Sequence, residues 1–227
     1  MNVGKKFDSI QFEIGSYKAI VVFEKGLRDA VPLVHEGLLK ASSLLKSKND
    51  IVVTLSSTDD KFIGDAMGGV SGYTSNDHSL SVSINPATPG WKDFLAPTIA
   101  HEFSHVVRFQ KVSGKENSTI LGSLAFEGLA QCFEEAVTGN LRPWSKVLDK
   151  EQAMETWIKI REILNANSRD FYNRLFIKKD DPEFRHWSGY SLGYIIVKMR
   201  IDELGRKPDW EDLTGRSPAE LVGKGLS

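Results

Sequence analysis

The chain has a single cysteine, Cys132, in 227 residues, so no disulfide can form within it. A fold of this length must be held by its core, and a lone thiol fits a reducing compartment. A charge excess is also missing. The 29 basic and 30 acidic residues leave a formal net charge of -1, with no basic block longer than a pair. That excludes nucleic-acid binding driven by bulk electrostatics. No apolar run reaches the ~18 residues that a membrane span needs. Met1 to Phe7 carries no apolar stretch of the signal-peptide kind. The expectation is a soluble, cytoplasmic protein without nucleic-acid or membrane partners; no sequence feature sets an oligomeric state. The glycine-rich stretch Gly64, Gly68, Gly69 and Gly72 is not followed by G-K-[ST], so it is not a phosphate cradle, and it reads as a loop over 65–73. Internal repeats and low-complexity segments are absent.

What is present is an ordinary globular composition, enough for one domain or a domain with a second lobe. Two short β-like runs, Ile10–Ile14 and Ala19–Phe23, flank a turn at Gly15-Ser16. Apolar residues at helical spacing follow from Leu27 to Lys46. Ile51–Leu55 is β-branched and reads as a buried strand. Ser79–Ile84 alternates strictly, with Leu80, Val82 and Ile84 for the core and serines outward. We read it as a half-buried strand and, more sharply, as a sheet edge to which an extended peptide could add. Helices are expected from Pro89-Gly90 onward with Pro97 near the first turns. Further ones are expected over 119–138, capped by Asn117 or Ser118 and closed by Gly139-Asn140, then over about 150–164 and 188–204. The stretch 171–185 reads mostly as loop, and a polar tail follows Pro208. The fold class is α+β. The chain is expected to be a single catalytic domain, 1–140 with sheet and metal helices and 141–227 as a helical lobe.

The chemistry gathers at His101-Glu102-Phe103-Ser104-His105, an H-E-x-x-H pattern. Chance alone produces it in roughly one chain of this composition per hundred, so its context decides. On a helix, residues four apart share a face, so both imidazoles can meet one ion with Glu102 beside them. At 100° per residue, Leu95, Ile99, Phe103 and Val106 fall on one side and the two histidines on the other. The helix can therefore bury an apolar stripe and still present a metal face. Catalytic zinc takes three protein ligands and keeps one position open. A third histidine of the metzincin kind is excluded, because position 108 is Arg and position 111 is Lys. Glu127, on the next helix beside Gly128, supplies the missing ligand for a His₂Glu set, and Gly128 allows another backbone to approach closely. His35 and His78 read as surface or turn residues. Asp77-His78 is at most a stray metal contact, and Cys132 reads as a small buried hydrophobe. Arg108 shares the histidine face and could meet a carboxylate, a substrate or Glu127.

Three blocks together, H-E-F-S-H-V-V-R from 101, S-L-A-F-E-G-L-A from 123 and W-S-G-Y-S-L-G-Y from 187, resemble the gluzincin metallopeptidases. More narrowly they resemble the bacterial family of predicted zinc-dependent proteases. The resemblance covers about residues 61–200. It implies a zincin-like fold, one zinc per chain on His101, His105 and Glu127, and Glu102 as the group that moves the proton. It also departs from the family at Gln131, where an acid usually orients a zinc histidine; a neutral amide there makes a less basic ligand.

The expected reaction is peptide hydrolysis by activated water, with Glu102 as general base and a peptide or protein as substrate. Tyr190 is the candidate oxyanion donor, with His186 and Tyr194 behind it, although Trp187, Tyr190, Tyr194 and Val197 also form a core-like stripe. An alternative keeps the fold and the metal but makes the chain a catalytically weak or inactive binding module, holding a partner peptide on the Ser79–Ile84 edge.

Overall fold

The computed structural model describes residues 6–226. It is a mixed α+β structure that divides into two compact units, residues 1–110 and 111–227. The first unit is built on a five-stranded mixed sheet. Strands β1 (Phe7–Ile14) and β2 (Tyr17–Glu24) form the expected hairpin, turning at Gly15, whose φ of 59° suits a residue without a Cβ. A 3₁₀ turn (Lys25–Ala30) and helix α1 (Val31–Ser42) carry the chain to β3 (Ile51–Ser57). Helix α2 (Lys61–Ala66), β4 (Val70–Thr74) and β5 (Ser79–Ile84) follow. The order across the sheet is β1-β2-β3-β5-β4, with β2, β3 and β5 parallel and the outer pairs antiparallel.

Two expectations are corrected here. Ser79–Ile84 is not an edge: β3 pairs with it on one side and β4 on the other. Its side chains behave as expected, with Leu80, Val82 and Ile84 buried. Backbone pairing, however, is independent of which way side chains point. The edge on that side of the sheet is β4, which lies in the glycine-rich stretch read as a loop. Gly68 and Gly69 adopt φ of 67° and 83° and turn the chain from α2 into that strand.

Helix α3 (Trp91–Lys111) is the long helix of the first unit. Pro97 lies inside it and cannot bond back to Asp93, while the Thr98 hydroxyl bonds to the Phe94 carbonyl at 2.8 Å. Leu95, Ile99, Phe103 and Val106 are fully buried, as the wheel predicted. Burying a side chain of this size stabilises by about 1.5–3 kcal/mol. The Ile99 side chain meets α1 at Gly37, where an added Cβ would stand 3.1 Å away, and Phe103 lies 6.0 Å from the Tyr17 ring on β2. The stripe thus seats α3 on the sheet side of its unit.

The second unit is helical. A short turn α4 (Gly114–Asn117) precedes α5 (Ile120–Thr138), whose N-cap is Thr119, with its hydroxyl accepting from the Gly122 N–H at 2.9 Å. The cap is thus one or two residues later than Asn117 or Ser118. Gly139 closes α5 in the left-handed conformation at φ 73°. Helices α6 (Lys150–Ile160) and α7 (Arg169–Tyr172) lead through a π-helical turn (Asn173–Ile177) to α8 (Ser188–Glu203). The segment read mostly as loop over 171–185 therefore contains helical turns. The expected polar tail is instead two short helices, α9 (Trp210–Gly215) and α10 (Pro218–Val222). They bury Trp210, Leu213, Leu221 and Val222, and the Trp210 ring meets Phe133 at 5.2 Å. Among the described residues, no helix is long and apolar enough to cross a membrane.

α5 and α8 cross at two glycines. A Cβ on Gly128 would lie 2.2 Å from the Gly193 carbonyl oxygen, and one on Gly193 would lie 2.5 Å from that of Leu124. This is the close backbone approach that Gly128 suggested.

Candidate metal centre

His101 and His105 project from α3 one turn apart, with ring centroids 4.7 Å apart and planes at 88°. His105 is buried, and His101 is half-buried. Glu127 projects from the second turn of α5 and is also half-buried. One ligand atom from each of His101, His105 and Glu127 can be chosen so that all lie within 4.8 Å of one another. Two imidazoles and a carboxylate are a donor set that zinc takes in catalytic sites. The residues fit the metal.

Glu102 is buried, which a carboxylate tolerates only with hydrogen bonds. The Thr74 hydroxyl, on β4, donates to Glu102 Oε2 at 2.8 Å and also lies 3.2 Å from the Glu102 main-chain oxygen. Gly72, on the same face of β4, leaves room for the acid: an added Cβ would lie 2.4 Å from Glu102 Cγ and 2.5 Å from Oε1. Neither Thr74 nor Gly72 was a sequence candidate. The signal was there as Val70, Gly72 and Thr74 at strand spacing, but glycines in that stretch argued for a loop.

In the second unit, Gln131 sits one turn beyond Glu127 and is buried. Its amide nitrogen donates to the Glu127 main-chain oxygen at 3.1 Å and to the Tyr190 main-chain oxygen at 2.9 Å. Its carbonyl oxygen accepts from the Ser145 hydroxyl. Its two donors are thus committed to main chain, and the residue fastens α5 to the start of α8. Ser191 extends the fastening: its hydroxyl donates to the Ser145 carbonyl at 3.0 Å and accepts from the Leu148 N–H at 3.1 Å.

Tyr190 is half-buried near the start of α8, its ring edge-on to Phe176 at 5.1 Å. His186 stacks on Trp187 at 4.1 Å, and Trp187 tilts against Trp144 at 5.6 Å. Desolvation, with some help from Lys179, lowers the His186 pKa below its ordinary value. Trp187 adopts φ 65°, a left-handed conformation costly for a bulky residue, immediately before α8. Tyr194 faces elsewhere: its hydroxyl donates to Glu135 at 3.0 Å, and burial and that carboxylate raise its pKa. Cys132 is buried, and desolvation raises its pKa well above a reactive thiol's. His35 stacks on Phe12 at 4.1 Å, and exposed His78 pairs with Asp77 at 2.7 Å. Arg108 is almost wholly buried.

The family described as "Predicted Zn-dependent protease (DUF2268)" matches residues 32–221. "Uncharacterized protein YjfC" from Bacillus subtilis (strain 168) is 29% identical over 147 residues, 60% of this chain and 47% of that protein. The chain thus spans about half the length of this curated relative. Among solved structures, an aminopeptidase N family protein from Idiomarina loihiensis aligns with a TM-score of 0.59 at 10% identity, over 96% of this chain and 44% of that one. At that identity the likeness is one of fold.

Proposed function

Because the chain belongs to this family of predicted Zn-dependent proteases, we propose that it is a single zincin-like catalytic domain of the gluzincin type that hydrolyses peptide bonds. Its zinc, one per chain, is held by His101, His105 and Glu127. The observation that carries the reading is the convergence of these three ligand atoms next to a buried, hydrogen-bonded Glu102. Zinc bound there supplies Lewis acidity, easing loss of a water proton and polarising a substrate carbonyl.

The chain's own residues do the rest. The Glu102 carboxylate takes a proton from the attacking water as its oxygen bonds to the carbonyl carbon. The same group then returns that proton to the amide nitrogen as the C–N bond breaks, leaving an acid and an amine. Tyr190 is the donor assigned to the oxyanion. Gln131 keeps the Glu127 turn of α5 and the Tyr190 turn of α8 together through their main-chain oxygens, which is a different task from orienting a zinc histidine. His186 and Trp187 shape the approach to α8, and Tyr194 takes no part in the chemistry. The substrate is a peptide or protein, and the compartment is the cytoplasm.

The alternative, a module that only holds a peptide, relied on Ser79–Ile84 as a free edge. With both sides of that strand paired, it has no main-chain groups left to offer. Hydrolysis of a mixed peptide library by zinc-loaded wild type and by Glu102→Gln tests the proposal. Loss of at least about a hundredfold in the variant at equal zinc content is expected for removal of a general base. Equal rates in both would refute it.

A further inference from the structure

The buried acid of α3 is held from the sheet, and the hold is specific. Val70, Gly72 and Thr74 alternate onto one face of β4, opposite Ile84, Val82 and Leu80 on β5. At 72 that face is empty of side chain, and the Glu102 stem and Oε1 occupy the gap. At 74 it carries a buried hydroxyl that reaches both Oε2 and the main-chain oxygen of Glu102. A single hydroxyl contacting both ends of one residue fixes how that residue's side chain folds back on its helix. The stem is confined by shape at one position, and the head is anchored by a hydrogen bond two residues on. A charged acceptor makes such a bond stronger than a neutral one. With Oε2 bonded to Thr74, Oε1 is the oxygen next to the glycine gap.

We propose that Thr74 is a positioning residue for the Glu102 carboxylate, acting with the side-chain gap at Gly72, so that the edge strand sets where the general base stands. This rests on the assignment of Glu102 as the base. It extends that assignment to two residues of another element, in a stretch with no motif of its own.

A misplaced base lowers the rate of the proton-transfer step without changing how the rest of the substrate binds. Thr74→Val keeps the shape and deletes the hydroxyl, while Thr74→Ser keeps the hydroxyl. In the zinc-loaded full chain, Thr74→Val should lower kcat by about 10- to 100-fold, the usual effect of losing a group that orients a catalytic side chain, with KM unchanged. Thr74→Ser should retain kcat within about threefold, an increment small beside the loss of a positioning group. Placed on Glu102→Gln, Thr74→Val should cause no further loss, because the group it positions is gone.

A second readout is independent of turnover. In crystal structures of the metal-free variants, the carboxylate of Glu102 should keep its place in Thr74→Ser and leave it in Thr74→Val. Gly72→Ala should displace it too, through the added methyl. The positioning role is overturned if Thr74→Val keeps wild-type kcat, if it slows the Glu102→Gln chain equally, or if the carboxylate stays put without the hydroxyl. A fully active Glu102→Gln would instead sink the base assignment itself, whatever Thr74 does. The two failures are therefore distinguishable.

Discussion

The two helices that carry the candidate ligands are held by different physics. α3 is seated in its unit by an apolar stripe, and its acid is fitted into a gap on a neighbouring strand. What approaches Gly72 is the side chain of Glu102, which can swing away. α5 is held to α8 by main chain against main chain, at Gly128 and Gly193, and by the Gln131 amide spanning two carbonyls. What approaches Gly128 is a carbonyl oxygen on a rigid helix, which cannot move without unpacking the pair. Equally short approaches therefore carry opposite consequences: adding a methyl should cost stability in one unit and chemistry in the other.

Gly128→Ala should show the largest effect on stability. The added methyl would stand 2.2 Å from the Gly193 oxygen, so the helices must separate. A loss of about 3 kcal/mol, at the upper end for overpacking, is expected in urea unfolding. A variant as stable as wild type would show that the two helices can part there at little cost. Gln131→Leu should follow, at about 2 kcal/mol, because it removes the buried amide that donates to the Glu127 and Tyr190 main-chain oxygens and accepts from the Ser145 hydroxyl. The same unfolding curves would show it.

Gly72→Ala should cost stability by less than about 1 kcal/mol, since a flexible side chain can yield where a backbone cannot. Its cost should appear in hydrolysis. If Gly72→Ala unfolds the protein as readily as Gly128→Ala, the contrast between the units collapses.

The smallest effect is confined to acid. Asp181 has a fully buried side chain bonded to Arg174, and that guanidinium chiefly holds its pKa below the ordinary carboxylate value. A depressed folded-state pKa contributes stability that is complete above the unfolded value of about 4 and drains away as pH falls below it. Asp181→Asn should therefore destabilise at neutral pH, and the gap to wild type should narrow on acidification below about pH 4. A gap that stays constant down to pH 2 would mean that the charge is not what matters at this position.

Much of the site was legible because it is encoded locally. The segregated faces of α3, the acid on α5 and the glycine beside it all follow from helical spacing, which a single segment fixes by itself. The sheet was harder. The alternation of Ser79–Ile84 reports which way side chains point, and that pattern is the same for an inner strand and an edge. β4 was missed because its strand character depends on pairing with β5, while Gly72 lowers every local signal for a strand. The glycine that hid the strand is the one that makes room for Glu102. The terminal helices α9 and α10 escaped because five or six residues are too few to show a period. Gln131 was read as a departure from the family pattern. Its partners, main-chain oxygens of Glu127 and Tyr190, belong to packing that no spacing rule encodes.

Zinc content of the chain, read with anomalous scattering at the zinc edge, tests the central claim most directly. One zinc per chain between His101, His105 and Glu127 is expected, with occupancy lost in His105→Ala and in Glu127→Ala while the fold persists. A chain that takes up no zinc, or whose zinc survives removal of either residue, would contradict it.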